Sequence, residues 1–456
     1  MTEPVLLWLR QDLRLSDQPA LVAAAAAAAG PVIPVYILDD TAPGDWAIGG
    51  AQRWWLHHSL AALDEALRAR GSRLILRRGD AVKELHALIK ETGAGGIHAM
   101  RHYEPWWVKA QDALDDRLTL HDGNHLRPPE QVTTGSGGMF KIYSSFWKAL
   151  VQQLPPEEPV TAPRRIDAPA GWPRSDTLAD WKLLPTRPDW SIAFGKAWTP
   201  GEEGAKQALK SFASRIDAYG EARNLPSIDG SSNLSPHLHH GEITPRQIWH
   251  ALPGSGDSLT TFRKELAWRD FTSGVILSMP DYADANGRPR YDRLKWRTGA
   301  EAKRDLRAWQ QGRTGYPVVD AGMRQLWQIG WMHNRVRMIA ASFLIKHLLI
   351  DWREGERWYW DCLVDADYGN NAVNWQWVAG TGVDSNMFGR IMAPLTQSEK
   401  FDAADYIRRW VPELAHLSDA AIHDPEAAGC CPEEYPRKLI GHREARERAL
   451  AAAKGI

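Results

Sequence analysis

The sequence predicts an α/β fold, in which a domain built on a parallel sheet precedes a domain made only of helices. The first 125 residues alternate short apolar runs with helical patterns, which is typical of parallel strands joined by helices. From Gly201 onward helical patterns dominate, and residues 154–200 between them hold nine of the 29 prolines. We therefore expect an α/β domain over residues 1–128, an extended interdomain linker over 129–200 and a helical domain over 201–456.

Four apolar runs predict the strands of the first domain, at residues 5–9, 32–38, 74–77 and 96–100. Residues 18–29 and 51–71 follow a helical pattern, with leucines at positions 56, 60, 63 and 67 in the second segment. No G-x-G-x-x-G motif follows the first strand, so the dinucleotide fingerprint is absent. A ligand site is still expected at the carboxyl ends of the strands, as is usual in open parallel sheets.

The linker and the helical domain follow in order. Tryptophans at positions 172, 181, 190 and 198 give the linker apolar anchors, which favours an ordered segment over a disordered insert. Helices are predicted at residues 203–219, 244–252, 260–279, 300–311, 317–329, 333–350 and 352–363. Ser235-Pro236 and Thr244-Pro245 are typical helix starts.

Composition excludes several classes of protein. Hydrophobic residues make up 44% of the chain and charged residues 24%, as in ordinary soluble proteins. No apolar run approaches the roughly 18 residues of a membrane span, and the first residues do not form a signal peptide. Three cysteines offer neither a disulfide framework nor metal-ligand spacing, so we expect a cytoplasmic protein without a metal. Because the net charge is −1, a nucleic-acid partner would need a local basic patch.

Tryptophan is unusually frequent: the chain has 23 Trp, against 9 Phe and 11 Tyr. Beyond hydrophobic packing, indole rings stack on flat ligands and carry single electrons. The segment 363–377, LVDADYGNNAVNWQW, combines Asp365, Asp367 and three asparagines with Trp375 and Trp377. The acids and amides alone would suit a solvated loop, but two large aromatic residues beside them favour a polar site.

Three further clusters carry candidate chemistry. On a helix, Asn334, Arg337 and Met338 share a face, and Arg337 needs an anion, for which Asp365 is the natural candidate; the alternative is a surface arginine. Glu265 and Trp268 also share a helix face, which suits hydrogen bonding to the edge of a base. The alternative there is an exposed Glu265–Arg269 pair.

The third of these clusters is a serine-rich stretch before a predicted helix. Residues 231–236, SSNLSP, place hydroxyls and backbone N–H groups at a helix start, which suits a pyrophosphate. The alternative is an ordinary helix cap.

Five motifs together resemble the photolyase/cryptochrome family. They are TGYPVVD (314–320), WMHNR (331–335), DWREGER (351–357), DAD (365–367) and WQW (375–377). The resemblance runs from WLRQDLR (8–14) to about residue 434 and is closest to photolyases of class I or class III that repair cyclobutane pyrimidine dimers. It implies a Rossmann-like antenna domain followed by an all-α domain that binds FAD.

The resemblance implies a set of cofactor contacts for FAD, active as FADH⁻. The phosphate side is matched by Tyr219, Ser231, Ser232, Leu234 and Ser235, and further contacts by Arg269, Asn334, Arg337, Asp365, Asp367 and Asn371. In the family, the pair matched by Arg337 and Asp365 is a salt bridge beside the isoalloxazine ring. Asn371 matches the residue that faces flavin N5, where an amide favours repair and an Asp is typical of plant-type cryptochromes. Asn233 stands where class I members often have Arg, so one pyrophosphate contact differs.

The resemblance also implies an electron chain of Trp375 next to the flavin, Trp352 in the middle and Trp296 at the surface. The dimer pocket is matched by Glu265, Trp268, Asn334, Met338 and Trp377, and a DNA-backbone contact by Arg335. In such a pocket, aromatic and apolar walls receive a flipped-out dimer. A donor group at Glu265 would stabilise the anion radical of the dimer. The His-His pair of (6-4) photolyases is missing near Met338.

The function implied by the resemblance is light-dependent repair of pyrimidine dimers in DNA by a monomeric protein. The first alternative is a cryptochrome-type blue-light receptor without repair activity, against which Asn371 and the short C-terminal segment argue. The second alternative is a flavoprotein that only binds lesions. An antenna chromophore is expected as well, with 5,10-methenyltetrahydrofolate favoured over 8-hydroxy-deazaflavin or FMN. The indoles of residues 103–108, YEPWWV, would stack on it or pack in the core.

Overall fold

Parallel strands form a sheet in the N-terminal part of the molecule, as their alternation with helices predicts. The computed structural model describes residues 3–26, 30–385, 388 and 391–454. The strands are Val5–Leu9 (β1), Val32–Leu38 (β2), Ile75–Arg78 (β3), Gly96–Met100 (β4) and Leu118–His121 (β5). Their order is β3-β2-β1-β4-β5, and all neighbouring strands are parallel. The predicted α/β fold class is therefore confirmed.

Helices pack on both faces of the sheet and form the helical half of the molecule. Those of the first 150 residues are Pro19–Ala24 (α1), Gly50–Arg68 (α2), Ala81–Thr92 (α3), Pro105–Ala113 (α4) and Tyr143–Leu150 (α5). Those up to residue 278 are Phe194–Ala197 (α6), Glu202–Ala213 (α7), Tyr219–Ala222 (α8), Ser235–His239 (α9), Pro245–Ala251 (α10) and Asp257–Ser278 (α11). Then follow Gly299–Gln310 (α12), Pro317–Ile329 (α13), Asn334–Ser342 (α14), Trp352–Cys362 (α15) and Tyr368–Ala379 (α16). The last are Pro394–Lys400 (α17), Ala404–Trp410 (α18), Asp419–Ile422 (α19) and His442–Ala453 (α20).

Alternate residues of β1 serve the two faces of the sheet, as the two-residue period of a strand requires. Leu7 packs in the same cluster as Leu56 of α2, and Trp8 packs in the cluster of Leu85 from α3. β5 is the strand that the apolar pattern missed. Its residues LTLH are only partly buried because it lies at the sheet edge and pairs with β4 alone, so it lacks a continuous apolar run.

Two predicted helices are shorter than their apolar patterns. The helix predicted over 203–219 ends at Ala213, and a tight turn, Ile216–Ala218, separates it from α8. Ser258 of α11 fixes this break, because its hydroxyl accepts from Gly220 N (3.0 Å) and donates to Asp217 O (2.7 Å). The helix predicted over 18–29 begins at Pro19, and residues 27–29 lie outside the described part of the chain.

The long apolar stretch predicted as one helix over 333–350 changes geometry in its middle. α14 ends at Ser342 and continues as a π-helical turn, Phe343–His347. The side chain of Lys346 is buried within this turn, and its ammonium donates to Ala379 O (2.6 Å) at the end of α16. A buried amine must find an acceptor, so this contact favours the wider turn.

The predicted linker is ordered but not extended throughout. α5 and α6 interrupt residues 129–200. Indoles anchor the rest: Trp198 Nε1 donates to Ile329 O (2.7 Å), and Trp181 Nε1 donates to Asp176 (3.1 Å). These two contacts favour the ordered alternative for this segment.

A buried polar seam joins the sheet to the helical half. Asp17, fully buried, accepts from Thr244 Oγ1 (2.6 Å) and from Arg246 Nε (2.7 Å) at the start of α10. Gly241 adopts a φ of +67°, and a Cβ there would lie 2.1 Å from Gln11 O, so only glycine allows this close approach of the two halves. The seam fixes the carboxyl edge of the sheet against the helices that form the site.

Candidate active site

One cavity of the helical half brings together most of the residues that the sequence motifs indicate. It measures about 510 Å³ and lies among α8, α11, α14, α16 and the loop before α9. The predicted residues that line it are Tyr219, Ser231, Ser232, Ser235, Glu265, Trp268, Arg269, Asn334, Arg335, Arg337, Met338, Asp365, Asp367, Asn371, Trp375 and Trp377. Leu234 is buried beside the loop, and Trp296 and Trp352 do not line the cavity.

The predicted pairing of Arg337 with Asp365 is confirmed. Arg337 Nη2 donates to Asp365 Oδ2 at 2.9 Å, and its Nε donates to Met332 O at 2.7 Å. The Asp365 side chain is only 3% exposed, and its Oδ1 is buried without a hydrogen-bond partner among the described residues. An acceptor in this position suits an N–H group on the edge of a heterocyclic ligand.

The start of α16 is organised by the carboxylate of Asp367. Its Oδ1 accepts from the backbone N (2.7 Å) and the side-chain Nδ2 (2.8 Å) of Asn370, so Asp367 is the N-cap of the helix. One turn on, Asn371 Nδ2 donates to Glu356 O at 3.2 Å, which holds the amide at the cavity wall. Burial raises the pKa of Glu356, the residue behind Asn371 on α15, well above its usual range.

On α11, Glu265 and Arg269 do not pair with each other, so the alternative of an exposed Glu265–Arg269 pair is wrong. Glu265 accepts from Arg223 Nη1 at 2.6 Å, whereas Arg269 donates through Nη2 to Leu238 O at 3.2 Å. Trp268 stacks on Tyr143 of α5, with ring centroids 3.9 Å apart and planes 5° apart. Arg223 and Tyr143 are not among the residues predicted from the sequence. Arg223 lies four residues after Tyr219, a spacing that would have placed it on the same helix face.

The serine-rich loop before α9 faces the opposite end of the cavity. Ser231, Ser232 and Ser235 line it, and no side chain of this loop caps α9, whose N-cap is Leu234. The ordinary-cap alternative is therefore wrong. Ser232 Oγ accepts from Leu234 N (3.3 Å) and Ser235 Oγ accepts from Trp331 Nε1 (3.4 Å), which leaves the hydroxyl protons to donate to a ligand. Asn233 adopts the left-handed φ of +57°, which Asn tolerates, and its Nδ2 donates to Asp229 Oδ1 at 3.1 Å.

The three tryptophans of the expected electron chain differ in exposure. Trp375 lines the cavity and is 3% exposed, Trp352 is fully buried, and Trp296 is partly buried. Gly355 allows α15 and α16 to approach, because a Cβ there would lie 2.1 Å from the Trp375 ring. Two aromatic rings that the sequence analysis missed also contact Trp375: Tyr359, with centroids 4.9 Å apart, and Trp309, at 6.3 Å.

Four arginines, Arg223, Arg269, Arg335 and Arg337, line the cavity. Two of them are paired with carboxylates of the same lining, Arg223 with Glu265 and Arg337 with Asp365. The guanidinium of Arg335 lies over Phe401, 4.5 Å from the ring centroid, and also hydrogen-bonds to Asn224. These two contacts hold the Arg335 side chain at the cavity lining.

The cavity residues fit FAD in three respects. The unpaired Asp365 Oδ1 suits the edge of an isoalloxazine ring, the serine loop suits a pyrophosphate, and Arg269 Nε is a buried donor without a partner among the described residues. Neither a cluster of metal-binding side chains nor a helix long and apolar enough to cross a membrane occurs in the described ranges.

Comparisons with known proteins point to one family. The model described as DNA photolyase matches residues 5–164, and the model described as FAD binding domain of DNA photolyase matches residues 262–455. A deoxyribodipyrimidine photo-lyase of Agrobacterium fabrum is 48% identical, over 100% of this chain and 98% of its own length. Cryptochrome-1 of Arabidopsis thaliana is 34% identical, over 97% of this chain and 69% of its length. The crystal structure of a bacterial class III photolyase from Agrobacterium tumefaciens superposes with a TM-score of 0.94 at 46% identity, covering 100% of this chain and 98% of that one. The chain belongs to the DNA photolyase family.

Proposed function

We propose that the protein repairs cyclobutane pyrimidine dimers in DNA with the energy of blue light. One observation carries this proposal: a single cavity joins a flavin-type polar site to apolar walls. The Arg337–Asp365 pair and Asn371 form the first part, and Trp268 and Trp377 belong to the second. The Agrobacterium fabrum relative is named a deoxyribodipyrimidine photo-lyase, which supports the same activity here.

When bound, FAD in the reduced form FADH⁻ supplies one electron on excitation, which splits the dimer and is then recovered. Asp365 and the serine loop would hold the two ends of this cofactor. Asn371 offers an amide rather than an acid to the reacting edge, so this residue delivers no proton there. The closed packing of Trp375 and Tyr359 excludes water from the wall beside the flavin.

The dimer would bind between Trp268, Trp377 and Met338. Tyr143 stacks on the back of Trp268 and fixes the plane of its ring, so the wall is formed before DNA arrives. A dimer that is flipped out of the helix leaves the base stack only if the pocket replaces those contacts. Rigid aromatic rings do so at a low cost in side-chain entropy.

The Glu265–Arg223 pair adds charge to the same pocket. Glu265 accepts from Arg223, so the pair presents a carboxylate acceptor for the N–H groups of the dimer and a cationic donor for its carbonyl oxygens. Negative charge develops on those oxygens when the dimer gains an electron. We infer that Arg223 supplies the donor that stabilises this charge, a role that the family resemblance had implied for Glu265.

We also propose the Trp375, Trp352 and Trp296 chain as the route that refills the flavin with electrons from solution. Short hops between aromatic rings are faster than one long transfer, and Trp296, the outermost member of the proposed route, is the most exposed of the three. In the receptor alternative, the three tryptophans only transmit a signal. That alternative does not account for the aromatic walls formed by Trp268 and Trp377, or for the arginines that line the same cavity.

As a second cofactor, we propose an antenna chromophore, with 5,10-methenyltetrahydrofolate preferred over a deazaflavin or FMN. Trp106 and Trp107 do not offer free stacking faces, because Trp106 packs edge-on against Tyr368 and Trp107 packs edge-on against Trp8. Their core alternative is favoured, so the antenna needs other contacts. The absorption spectrum of the purified protein distinguishes a folate from a deazaflavin. A monomer in the cytoplasm completes the proposal, and sedimentation of the purified chain tests its oligomeric state.

The experiment that tests the function compares lesions. The reduced, flavin-loaded chain is illuminated with oligonucleotides that carry a cyclobutane dimer, a (6-4) photoproduct or no lesion, and the products are separated by chromatography. We expect restored pyrimidines from the cyclobutane dimer alone. A protein that binds the dimer and never restores it would instead be a lesion-binding module or a receptor.

A further inference from the structure

A second, small cavity lies between the sheet and the helical half. Its volume is about 30 Å³, which is room for roughly one or two water molecules. Residues that follow β1, β4 and β5 line one side, and residues of α9, α11 and α16 line the other. The cavity therefore fills the crevice beyond the carboxyl ends of β1 and β4, where the strand order reverses.

This small cavity shares two charged walls with the large one. Arg269 and Asp367 each line both cavities, so a flavin on one side and the small cavity on the other contact the same two side chains. A change of charge on either side is therefore transmitted through a thin, poorly hydrated layer. Coulombic interactions are strong across such a layer because little water screens them.

Glu104 is the carboxyl group that the N-terminal part contributes to the small cavity. It is 7% exposed, and its Oε2 lies 3.9 Å from His102 Nδ1. On the other side of the ring, His102 Nε2 lies 3.6 Å from Asp12 Oδ1. One imidazole thus stands between two buried carboxyl groups.

Buried polar atoms without partners show that the small cavity is a polar one. Arg269 Nε and His239 Nδ1 are both buried without a partner among the described residues. Burial lowers the pKa of His239 to about 3, so this ring is neutral. Because His239 Nε2 pairs with Gln52 Oε1 (3.1 Å), Nδ1 is an acceptor, while Arg269 Nε is a donor. Buried polar atoms of this kind are normally satisfied by water, which would link Glu104 to the Arg269 and Asp367 walls.

We propose that Glu104 takes up a proton from solvent when the bound flavin is reduced. This inference rests on the FAD binding proposed above. Reduction of FAD to FADH⁻ consumes two electrons and one proton and adds one negative charge beside Asp367. A second proton then moves from solvent to the carboxylate of Glu104. This proton makes Glu104 neutral and offsets the charge added to the flavin.

The surroundings of Glu104 favour this response. The charged and titratable groups that face it are Arg10, Asp12, His102, His125, His239, Arg269 and Asp367. Burial raises the pKa of Glu104, and the negative charge of Asp367 acts in the same direction, while His102 and Arg10 oppose it. A group balanced in this way changes its protonation when one more negative charge appears nearby.

The test is a redox titration of the flavin-loaded full chain at several pH values, read from the flavin spectrum with dithionite as the reductant. For the wild type we expect a midpoint potential that falls more steeply with pH than in Glu104→Gln. One extra proton per two electrons is a tenfold change in equilibrium constant per pH unit, or about 30 mV. Glu104→Asp, which keeps a carboxyl group, should retain the steeper slope.

A matched control is Glu130→Gln, which removes an exposed carboxylate that accepts from Tyr103 Oη (2.8 Å) outside the small cavity. It should keep the wild-type slope. In the wild type, electrochemical reduction in weakly buffered solution with a pH indicator, in which no chemical reductant releases protons, should consume more than one proton per flavin. Equal slopes for the wild type and Glu104→Gln, or one proton per flavin, would overturn the inference. Loss of dimer repair together with the expected titration would instead contradict only the proposed function.

Discussion

At the scale of single residues, the side chain of Trp377 gives the most direct prediction about dimer binding. It lines the cavity and stays partly exposed, so it is free to stack on a ligand. We expect Trp377→Ala to weaken binding of a dimer-containing oligonucleotide in the dark by about 1–3 kcal/mol, as for a lost base stack. Fluorescence anisotropy measures this affinity. Trp327→Ala, which removes a 52% exposed indole outside the cavity, is the control and should bind normally.

Asp270 gives a prediction about pH. Burial raises its pKa to about 8, while its Oδ2 accepts from Arg127 N at 3.0 Å. The folded state therefore holds a proton that the unfolded chain releases near pH 4, and stability from this group is lost as pH rises from about 4 to about 8. Asp270→Asn keeps the acceptor and removes the titration.

Between about pH 5 and about pH 7, the free energy of unfolding of Asp270→Asn relative to the wild type should rise by about 1.4 kcal/mol per pH unit. Denaturant unfolding at several pH values measures this difference. A difference that stays constant with pH would show that Asp270 does not titrate in this range.

The contacts within the site could be predicted from the sequence only in part. The Arg337–Asp365 pair was predictable because a helix periodicity and a need for a counter-charge both pointed to it. The Arg223–Glu265 pair and the Tyr143–Trp268 stack were not predicted. In both, one partner lies on a different element, and the distance along the chain carries no signal of the contact.

At the scale of elements, the packing of α15 on α16 sets the distance between Trp352, at the start of α15, and Trp375 of α16. Gly355 lies against the Trp375 ring and the Leu344 side chain, where a Cβ would meet atoms at 2.1 and 2.6 Å. We expect Gly355→Ala to separate the two helices and to cost about 1–3 kcal/mol of stability. Thermal unfolding measures the cost. Gly441→Ala, whose Cβ would meet nothing within 4 Å, is the control and should unfold like the wild type.

Trp352, at the start of α15, tests the electron route without touching the dimer pocket. Trp352→Phe should block light-driven reduction of oxidised flavin, because Phe is far harder to oxidise than Trp. Repair by protein that has been chemically reduced should remain. Trp358→Phe, on the partly exposed face of the same helix, should photoreduce normally. Normal photoreduction of Trp352→Phe would refute the proposed chain, and absorption spectroscopy during illumination distinguishes the outcomes.

Elements with long apolar patterns were predicted well, and their ends were not. α13 was predicted at its observed bounds, because Pro begins it and Gly ends it. The break after α7 and the π-helical turn after α14 escaped prediction. Each depends on a partner from elsewhere in the fold: Ser258 in the first, and the carbonyl of Ala379 in the second.

At the scale of the whole molecule, the buried seam between the sheet and the helices determines their relative position. Arg246→Ala would leave Asp17 buried with part of its compensation removed, and removal of one partner of a buried pair typically costs about 3–5 kcal/mol. Denaturant unfolding should show this loss. Arg53→Ala, which removes a partly exposed pair with Asp40, should cost about 1 kcal/mol or less. A similar small loss for both variants would contradict a stabilising seam.

The tryptophan excess is distributed across the whole molecule in at least three uses. Trp8, Trp55 and Trp309 are buried in hydrophobic clusters, so packing explains them. Trp268 and Trp377 line the cavity, whereas Trp352 is buried outside it. The sequence predicted the fold class and most of the cavity lining, but the domain boundaries stay a prediction.

The central claim is that light, acting through the flavin cavity, splits the dimer. The most direct measurement follows the thymine absorption band of a dimer-containing oligonucleotide mixed with reduced, flavin-loaded protein, in blue light and in the dark. We expect the band to recover in the light with many turnovers per protein, and to stay unchanged in the dark. Tight binding of the dimer without recovery under illumination would contradict the claim.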